Sequence, residues 1–124
     1  MPTGQVLVVD DYADSREMLA VALEAAGYVV LMADNGWRAL VQARCHVPTA
    51  IVMDLFMPEM DGIEATRRLK SDADTRDIPV IAYTARGTAD DLEVFDGVCL
   101  KPCSPERLVR VVGEVIMRGK AKNR

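Results

Sequence analysis

Five short apolar runs, separated by segments with helical periodicity, constrain the fold of this chain more than any other feature. The runs occupy residues 6–9, 28–32, 50–53, 79–83 and 98–100. They are too short for helices and rich in β-branched residues, as strands buried on both faces are. The remaining segments predict helices over residues 15–26, 37–45, 63–70, 89–94 and from 105 onward. This alternation predicts an α/β fold in which one parallel sheet carries helices on both faces.

Polar residues mark the starts of three predicted helices. Asp14, with Glu17 three residues later, has the pattern of a capping box before the first helix. Asp61 is followed by a glycine and predicts a turn and cap ahead of the third helix. Ser104 and Pro105 predict the N-cap and the first position of the last helix.

Length and charge restrict the architecture and the possible partners. A single domain accounts for all 124 residues, with a core over about 5–117 and a basic tail over 118–124. The formal net charge is −4 and the sequence pI is near 4.9. Direct DNA binding is therefore not expected, because it requires a basic face. The basic tail is interpreted as a solvated chain end rather than a binding arm.

Neither a membrane anchor nor a targeting segment is predicted. The first residues lack the basic stretch and the long apolar run of a signal peptide, and no apolar segment is long enough to cross a bilayer. A cytoplasmic protein is therefore expected. Cys45, Cys99 and Cys103 form no CxxC pair and are expected to be buried free thiols. The single histidine, His46, is expected at the surface or at a helix end, and a zinc site is not favoured.

Charged and hydroxyl side chains follow four of the five predicted strands. Asp10 and Asp11 follow the first strand, Asp54 follows the third, Thr84 stands at the end of the fourth and Lys101 follows the fifth. In a parallel sheet these strand ends share one edge, which is where α/β folds of this kind bind their ligands. None of the five residues is specific alone, but the set predicts a functional site.

The three carboxylates define what this site requires. Two carboxylates ~5 Å apart repel by ~3 kcal/mol at an effective dielectric constant of ~20, so three such pairs approach ~10 kcal/mol. A divalent cation offsets this repulsion, and oxygen ligands favour Mg²⁺ over zinc. Asp54 is then a candidate nucleophile that forms an aspartyl phosphate, with Lys101 and Thr84 stabilising the transferred phosphoryl group.

Five motifs, in order, carry a resemblance to a known family. The stretches VLVVDD, ADNGWRAL, IVMDLFMPEMDG, PVIAYTA and LKP span nearly all of the chain. The chain resembles the receiver domain of two-component response regulators. The resemblance implies a flavodoxin-like, doubly wound five-stranded sheet with the strand order 2-1-3-4-5.

The resemblance also implies roles for individual residues. Asp54 would accept a phosphoryl group from a histidine kinase or a histidine phosphotransfer protein. Asp11 and Asp54 would ligate Mg²⁺ directly, together with the backbone carbonyl of Phe56, and Asp10 would act largely through water. Thr84 and Lys101 would hold the phosphoryl oxygens and report their presence. Such a protein acts on an unknown downstream protein, on an onward phosphorelay or through a homodimer, and it is not an enzyme with an external substrate.

The sequence departs from the family pattern in the switch region. The family usually carries an aromatic residue three positions before the lysine of the fifth strand, and here that residue is Val98. Tyr83 is a poor substitute, because neighbouring residues of a strand point to opposite faces. The segment 84–101 is also several residues shorter than usual. A shortened fourth helix and a remodelled output surface are therefore expected.

A further departure concerns the lifetime of the phosphoryl group. The two positions that the resemblance links to dephosphorylation are Phe56 and Arg86. Neither side chain is a carboxylate or an amide that orients an attacking water molecule. Slow autodephosphorylation is therefore expected.

Two alternative functions compete with the phosphorylated switch. One is a pseudo-receiver, a protein interaction module that is not phosphorylated; Val98 favours it, whereas the complete set of strand-end residues argues against it. The other is a phosphatase of the haloacid dehalogenase type. That class needs a second aspartate two residues after the nucleophile, where this chain has Phe56. Nucleotide-binding enzymes are disfavoured, because the chain has no phosphate-binding glycine motif.

Overall fold

The computed structural model describes the backbone of residues 4–122 and the side chains of residues 4–119. Its strands are β1 Gln5–Val9, β2 Val29–Ala33, β3 Ala50–Met53, β4 Val80–Thr84 and β5 Gly97–Leu100. They form one parallel sheet in the order β2-β1-β3-β4-β5. The predicted fold class and strand order are confirmed.

The described helices connect the strands in chain order. They are α1 Ala13–Ala25, α2 Gly36–His46, α3 Gly62–Ser71, α4 Ala89–Leu92 and α5 Pro105–Lys122. Buried side chains of α1 and α5 pack on one face of the sheet, and those of α2 and α3 pack on the other. This arrangement explains why β1, β3 and β4 are apolar at successive positions. A strand covered on both faces needs apolar side chains on both.

The alternation of side chains along β1 shows how the two cores are built. Val6 and Val8 belong to the cluster beneath α1 and α5, whereas Leu7 and Val9 belong to the cluster beneath α2 and α3. Successive strand residues point to opposite faces. Side chains at successive strand ends therefore fall on a known face, and this arrangement positions the site described below.

Two of the predicted caps are confirmed. The side chain of Asp61 accepts a hydrogen bond of 2.8 Å from the Glu64 backbone N–H at the start of α3. Ser104 Oγ accepts a 3.1 Å bond from the Arg107 backbone N–H, and Pro105 is the first residue of α5. Both caps satisfy backbone donors that a helix start leaves without an intrahelical partner.

The predicted cap of α1 was wrong. The helix begins at Ala13, so Asp14 lies within its first turn and Tyr12 is the N-cap. The reason is the turn that follows β1, in which Asp10 Oδ1 accepts a 2.9 Å hydrogen bond from the Tyr12 backbone N–H. This turn starts the helix earlier than the pattern around Asp14 indicated.

The fourth helix is short, as predicted. It spans Ala89–Leu92, only four residues, and ends before the predicted position 94. Thr88 and Asp91 form a reciprocal capping box, with backbone-to-side-chain bonds of 3.1 and 3.2 Å. This box accounts for a helical turn in a segment too short for a full helix.

The cysteine prediction was wrong on two counts. Cys99 and Cys103 are joined by a disulfide, with 6.2 Å between their Cα atoms, and Cys45 is a free cysteine with an exposed side chain. Cys99 and Cys103 flank the Lys101-Pro102 turn, and both side chains enter the core cluster beneath α1 and α5. A spacing of four residues lies outside the common cysteine motifs, so no sequence pattern indicates the pairing.

Three further predictions concern the chain end, His46 and membrane spans. Helix α5 continues to Lys122, so residues 118–122 of the predicted basic tail have helical backbone. The side chains of Lys120 and Lys122, and Arg124 as a whole, lie outside the described residues. His46 is exposed at the end of α2, as predicted. None of the described helices combines the length and apolar character needed to cross a bilayer.

Candidate functional site

The sheet register brings the predicted acidic residues together. Val9 pairs with Met53 in the register of β1 and β3, so the next residue of each strand, Asp10 and Asp54, comes side by side at the sheet edge. A carboxylate oxygen from each of Asp10, Asp11 and Asp54 lies within 4.8 Å of the others. The predicted cluster of three carboxylates is therefore present in the structure.

The burial of these carboxylates is uneven. Asp10 is 2% exposed and Asp54 is 9% exposed, whereas Asp11 is open to solvent. Asp10 Oδ2 is buried and has no hydrogen-bond partner within the described part of the chain. A buried carboxylate oxygen without a partner is costly unless a cation approaches it. The oxygen donors present thus fit Mg²⁺, for which Asp10, Asp11 and Asp54 are the available side chains.

The electrostatics of Asp54 reflect the same crowding. Burial of its side chain raises the pKa of Asp54 from an ordinary 3.8 to about 6, and the negative charge of Asp10 adds to this rise. The charge of Lys101 and a hydrogen bond from the Phe56 backbone N–H act in the opposite direction without cancelling it. The ionised form of Asp54 is therefore held in an unfavourable environment, which a cation would relieve.

Thr84 lies at the sheet edge that carries the acidic residues, but its hydroxyl is hydrogen-bonded within the turn after β4. Its side chain is fully buried, and Oγ1 donates a 2.8 Å hydrogen bond to the Arg86 carbonyl. The Arg86 backbone N–H also lies 3.4 Å from the same oxygen. The hydroxyl thus closes the turn after β4. It must rotate away from this turn before it can donate to a ligand at Asp54.

Lys101 is held at the edge by Thr84 and Tyr83. Its backbone N–H donates a 2.8 Å bond to the Thr84 carbonyl, continuing the pairing of β4 and β5. Its ammonium Nζ lies 4.8 Å from the centre of the Tyr83 ring. Among the described residues, no carboxylate lies within ion-pair distance of Lys101. The lysine is therefore close enough to affect the pKa of Asp54, yet it rests on an aromatic face.

Tyr83 contacts the site through Lys101, although its ring packs in the core. It packs in the cluster beneath α1 and α5, consistent with strand alternation, and Val98 is half-buried. Tyr83 nevertheless follows Ala82, the register partner of Met53, so it stands next to Asp54 in the row of strand ends. The contact between Lys101 and the Tyr83 ring depends on the path of the chain after β5, which strand alternation does not specify.

Phe56 and Arg86 are brought together beside the site. The Phe56 side chain is 44% exposed, and the Arg86 guanidinium carbon lies 4.7 Å from the centre of its ring. Phe56 follows Asp54 by two residues, and Arg86 follows Thr84 by two residues. The cation–π contact therefore joins the two loops that leave β3 and β4. The role of the Phe56 carbonyl as a metal ligand stays a prediction.

Gly62 fixes the main chain of Asp54. A Cβ atom at Gly62 would lie 2.0 Å from the Asp54 carbonyl oxygen and 2.8 Å from Met53 Cγ. The Gly62 backbone N–H also donates a 2.8 Å bond to the Leu55 carbonyl. The first turn of α3 is thus packed directly against the strand end that carries Asp54.

The comparisons with known proteins agree with this fold. The family described as "Response regulator receiver domain" matches residues 6–113. The phosphate regulon transcriptional regulatory protein PhoB of Pseudomonas aeruginosa is 45% identical over 118 residues, which cover 91% of this chain and 52% of PhoB. The polar-differentiation response regulator DivK of Brucella ovis is 36% identical over 115 residues, covering 89% of this chain and 94% of DivK.

A solved structure with similar sequence has the same fold. The signal receiver domain of a signal transduction histidine kinase from Syntrophus aciditrophicus superposes with a TM-score of 0.83 at 33% identity, covering 92% of this chain and 90% of that one. The chain belongs to the response regulator receiver family of two-component signalling. It spans about half the length of the PhoB relative.

Proposed function

We propose that this receiver is a phosphorylated switch in which Asp54 accepts a phosphoryl group from the phosphohistidine of a histidine kinase or histidine phosphotransfer protein. The observation that carries the proposal is the buried pair formed by Asp10 and Asp54, with an unpartnered Asp10 oxygen and the Lys101 ammonium nearby. Buried carboxylates at one sheet edge repel one another, which disfavours their ionised forms. A cation bound by these carboxylates would relieve the repulsion and attract the oxygens of a phosphoryl group.

The transfer itself places few demands on the protein. A carboxylate oxygen of Asp54 forms a bond to phosphorus while the bond from phosphorus to the donor imidazole nitrogen breaks, and that nitrogen keeps the electron pair. Lys101 leaves the Tyr83 ring and Thr84 leaves the Arg86 carbonyl, so that both bind phosphoryl oxygens. Bound Mg²⁺ would be held by Asp11, Asp54 and the Phe56 carbonyl, with Asp10 acting largely through water, and it would neutralise charge on the phosphoryl group.

The output of the proposed switch is a change in protein interactions. Movement of Thr84 and Lys101 alters the turn after β4 and the end of β5, beside the short helix α4. Phosphorylation would therefore shift the population of two conformations at this surface. We propose a downstream protein or a second copy of the chain as its partner, in the cytoplasm, without direct contact to DNA or membrane. The domain turns over no external substrate.

The phosphoacceptor is tested by incubating the protein with acetyl phosphate and Mg²⁺ and measuring the intact mass. One phosphate adduct is expected, and it should be absent with a chelator and in Asp54→Asn. Asp61→Asn is the matched control, because asparagine caps a helix as well as aspartate. This variant should still form the adduct. Absence of the adduct from the native protein would favour the alternative, a pseudo-receiver that binds its partners without phosphorylation.

Slow loss of the phosphoryl group is a second expected result. Arg86 stacks on Phe56, and neither side chain orients water as a general base would. Phe56→Asn supplies an amide and removes the stacking, so it should shorten the lifetime of the adduct by about 10-fold or more. The lifetime is measured by intact mass after removal of the donor. Trp37→Asn breaks the comparable contact with Arg68, 5.0 Å from ring centre to guanidinium, and should leave the lifetime unchanged. A native lifetime of only seconds would contradict the expectation.

A further inference from the structure

Two cysteines enclose the lysine of the proposed phosphoryl site. Cys99 lies in β5 and Cys103 lies just before α5, with Lys101 midway between them. Their Cα atoms are 6.2 Å apart, within the range that a disulfide spans, and the two sulfurs are bonded. Both side chains are buried, although Cys103 retains 8% exposure and Cys99 none. The third cysteine, Cys45, is exposed on α2 and takes no part in the pair.

The cysteine pair is connected to Asp54 through Tyr83. Cys99 is the register partner of Tyr83 in β4 and β5, and both belong to the same core cluster as Cys103. Tyr83 in turn stands next to Asp54 at the sheet edge and carries the Lys101 ammonium on its ring. The cysteine pair, the aromatic ring and the lysine are therefore contiguous on one side of the acidic cluster.

We infer that Cys99 and Cys103 form a reversible thiol–disulfide pair whose oxidation slows phosphoryl acceptance at Asp54 by holding Lys101 on Tyr83. This inference rests on the proposed function of Asp54. With the disulfide formed, residues 99–103 are a closed loop and Lys101 lies over the ring rather than at the carboxylates. Movement of this loop would ease transfer of the lysine to a phosphoryl group.

Reduction provides that movement, because two thiol sulfurs in contact stand further apart than two bonded ones. Cys99 is fixed within the sheet, so the displacement falls on Cys103 and on the turn that carries Lys101. The closely packed core around Leu108 and Val112 leaves little room for an inward shift. The turn therefore moves outward, and the ammonium is released from the Tyr83 ring.

The redox step balances with a low-molecular-weight disulfide as oxidant. The thiolate of the more exposed Cys103 attacks one sulfur of the oxidant, forming a mixed disulfide and releasing one thiolate. The thiolate of Cys99 then attacks the Cys103 sulfur and releases the second. The two protons lost by the cysteines end on the two thiols released. In a reducing compartment disulfides are usually transient, with a catalytic or redox-sensing role. A redox-sensing role fits this pair, because it lies beside Lys101.

The test uses the full chain carrying Cys45→Ser, so that the exposed thiol forms no mixed disulfides. The protein is poised with oxidised or reduced glutathione, and alkylation followed by intact mass counts the free thiols. Two alkyl groups are expected in the reduced form and none in the oxidised form. Acetyl phosphate should then label the oxidised protein about 10-fold more slowly, the order expected for retaining one cation–π contact.

Two variants separate this inference from the proposed function. Cys103→Ser and, as a second version, Cys99→Val should be labelled at the rate of the reduced protein under both conditions. Equal labelling of the oxidised and reduced forms, or failure of glutathione disulfide to close the pair, would overturn the redox inference and leave the phosphoacceptor intact. If even the reduced protein takes no phosphate, the proposed function fails and the inference fails with it.

Discussion

Replacing Gly62 with alanine is expected to destabilise the fold by about 3 kcal/mol or more and to displace the main chain at Asp54. The constraint is space rather than backbone conformation, since Gly62 does not have a positive φ angle. A methyl group at this position would lie 2.0 Å from the Asp54 carbonyl oxygen. The carbonyl oxygen is a main-chain atom and cannot rotate away, so α3 or the end of β3 must shift.

Because β3 is the central strand of the sheet, the shift should fall on α3 and on the loop after Asp54. Gly62→Ala should therefore lower the free energy of unfolding in urea and also reduce acceptance of phosphate from acetyl phosphate. Gly113→Ala is the matched control. Its Cβ would meet only the Tyr28 hydroxyl, at 3.8 Å, and alanine is favoured within a helix by about 0.5–1 kcal/mol. Equal stability of the two variants would contradict the steric argument.

The fold was predictable because its signals are local and redundant. A strand such as residues 50–53, buried on both faces, has a run of apolar residues that no other element of its length explains. The parallel arrangement then brings Asp10 and Asp54 to one edge without any knowledge of side-chain conformation. The acidic site could therefore be predicted from topology alone. Its composition and its approximate position follow from where strands end.

The features that were missed depend on the paths of turns. Asp10 caps the turn after β1 with its side chain, which moved the start of α1 ahead of Asp14. The contact between Lys101 and Tyr83 and the pairing of Cys99 with Cys103 both follow from the course of residues 100–103. A periodic pattern describes which face of an element a residue occupies. It contains no information on how a short loop folds back on that element.

The missing aromatic residue at position 98 changes how the switch would work. Val98 is half-buried and offers no ring to rotate, while the Tyr83 ring already holds the ammonium that would move. The aromatic partner of the proposed switch is therefore placed beneath the lysine and inside the core. This arrangement couples Lys101 to the packing of α5, since Tyr83, Leu108 and Val112 share one cluster.

Asp54→Asn is expected to be more stable than the native protein above about pH 7 without divalent cations, by about 2 to 3 kcal/mol. The pKa of Asp54 is raised from 3.8 to about 6 by burial and by the charge of Asp10. Between pH 3.8 and about pH 6, the Asp54 carboxyl holds a proton more tightly in the folded chain than in the unfolded chain. The stability of the native protein therefore falls as the pH rises through this window, and asparagine, which does not ionise, avoids the loss.

Urea unfolding of both proteins in the presence of a chelator, from pH 3.5 to pH 8, measures the effect. The two free energies of unfolding should converge near pH 3.8, where the carboxyl is protonated in the folded chain and largely so in the unfolded one, and the gap should widen up to about pH 7. Added Mg²⁺ should reduce the gap at pH 8, because a cation at the three aspartates favours the ionised form of Asp54 and stabilises the native protein. A gap that is independent of pH would show that burial of the Asp54 charge does not destabilise the fold. The repulsion between buried carboxylates, on which the proposed metal and phosphoryl group depend, would then be too weak to affect stability.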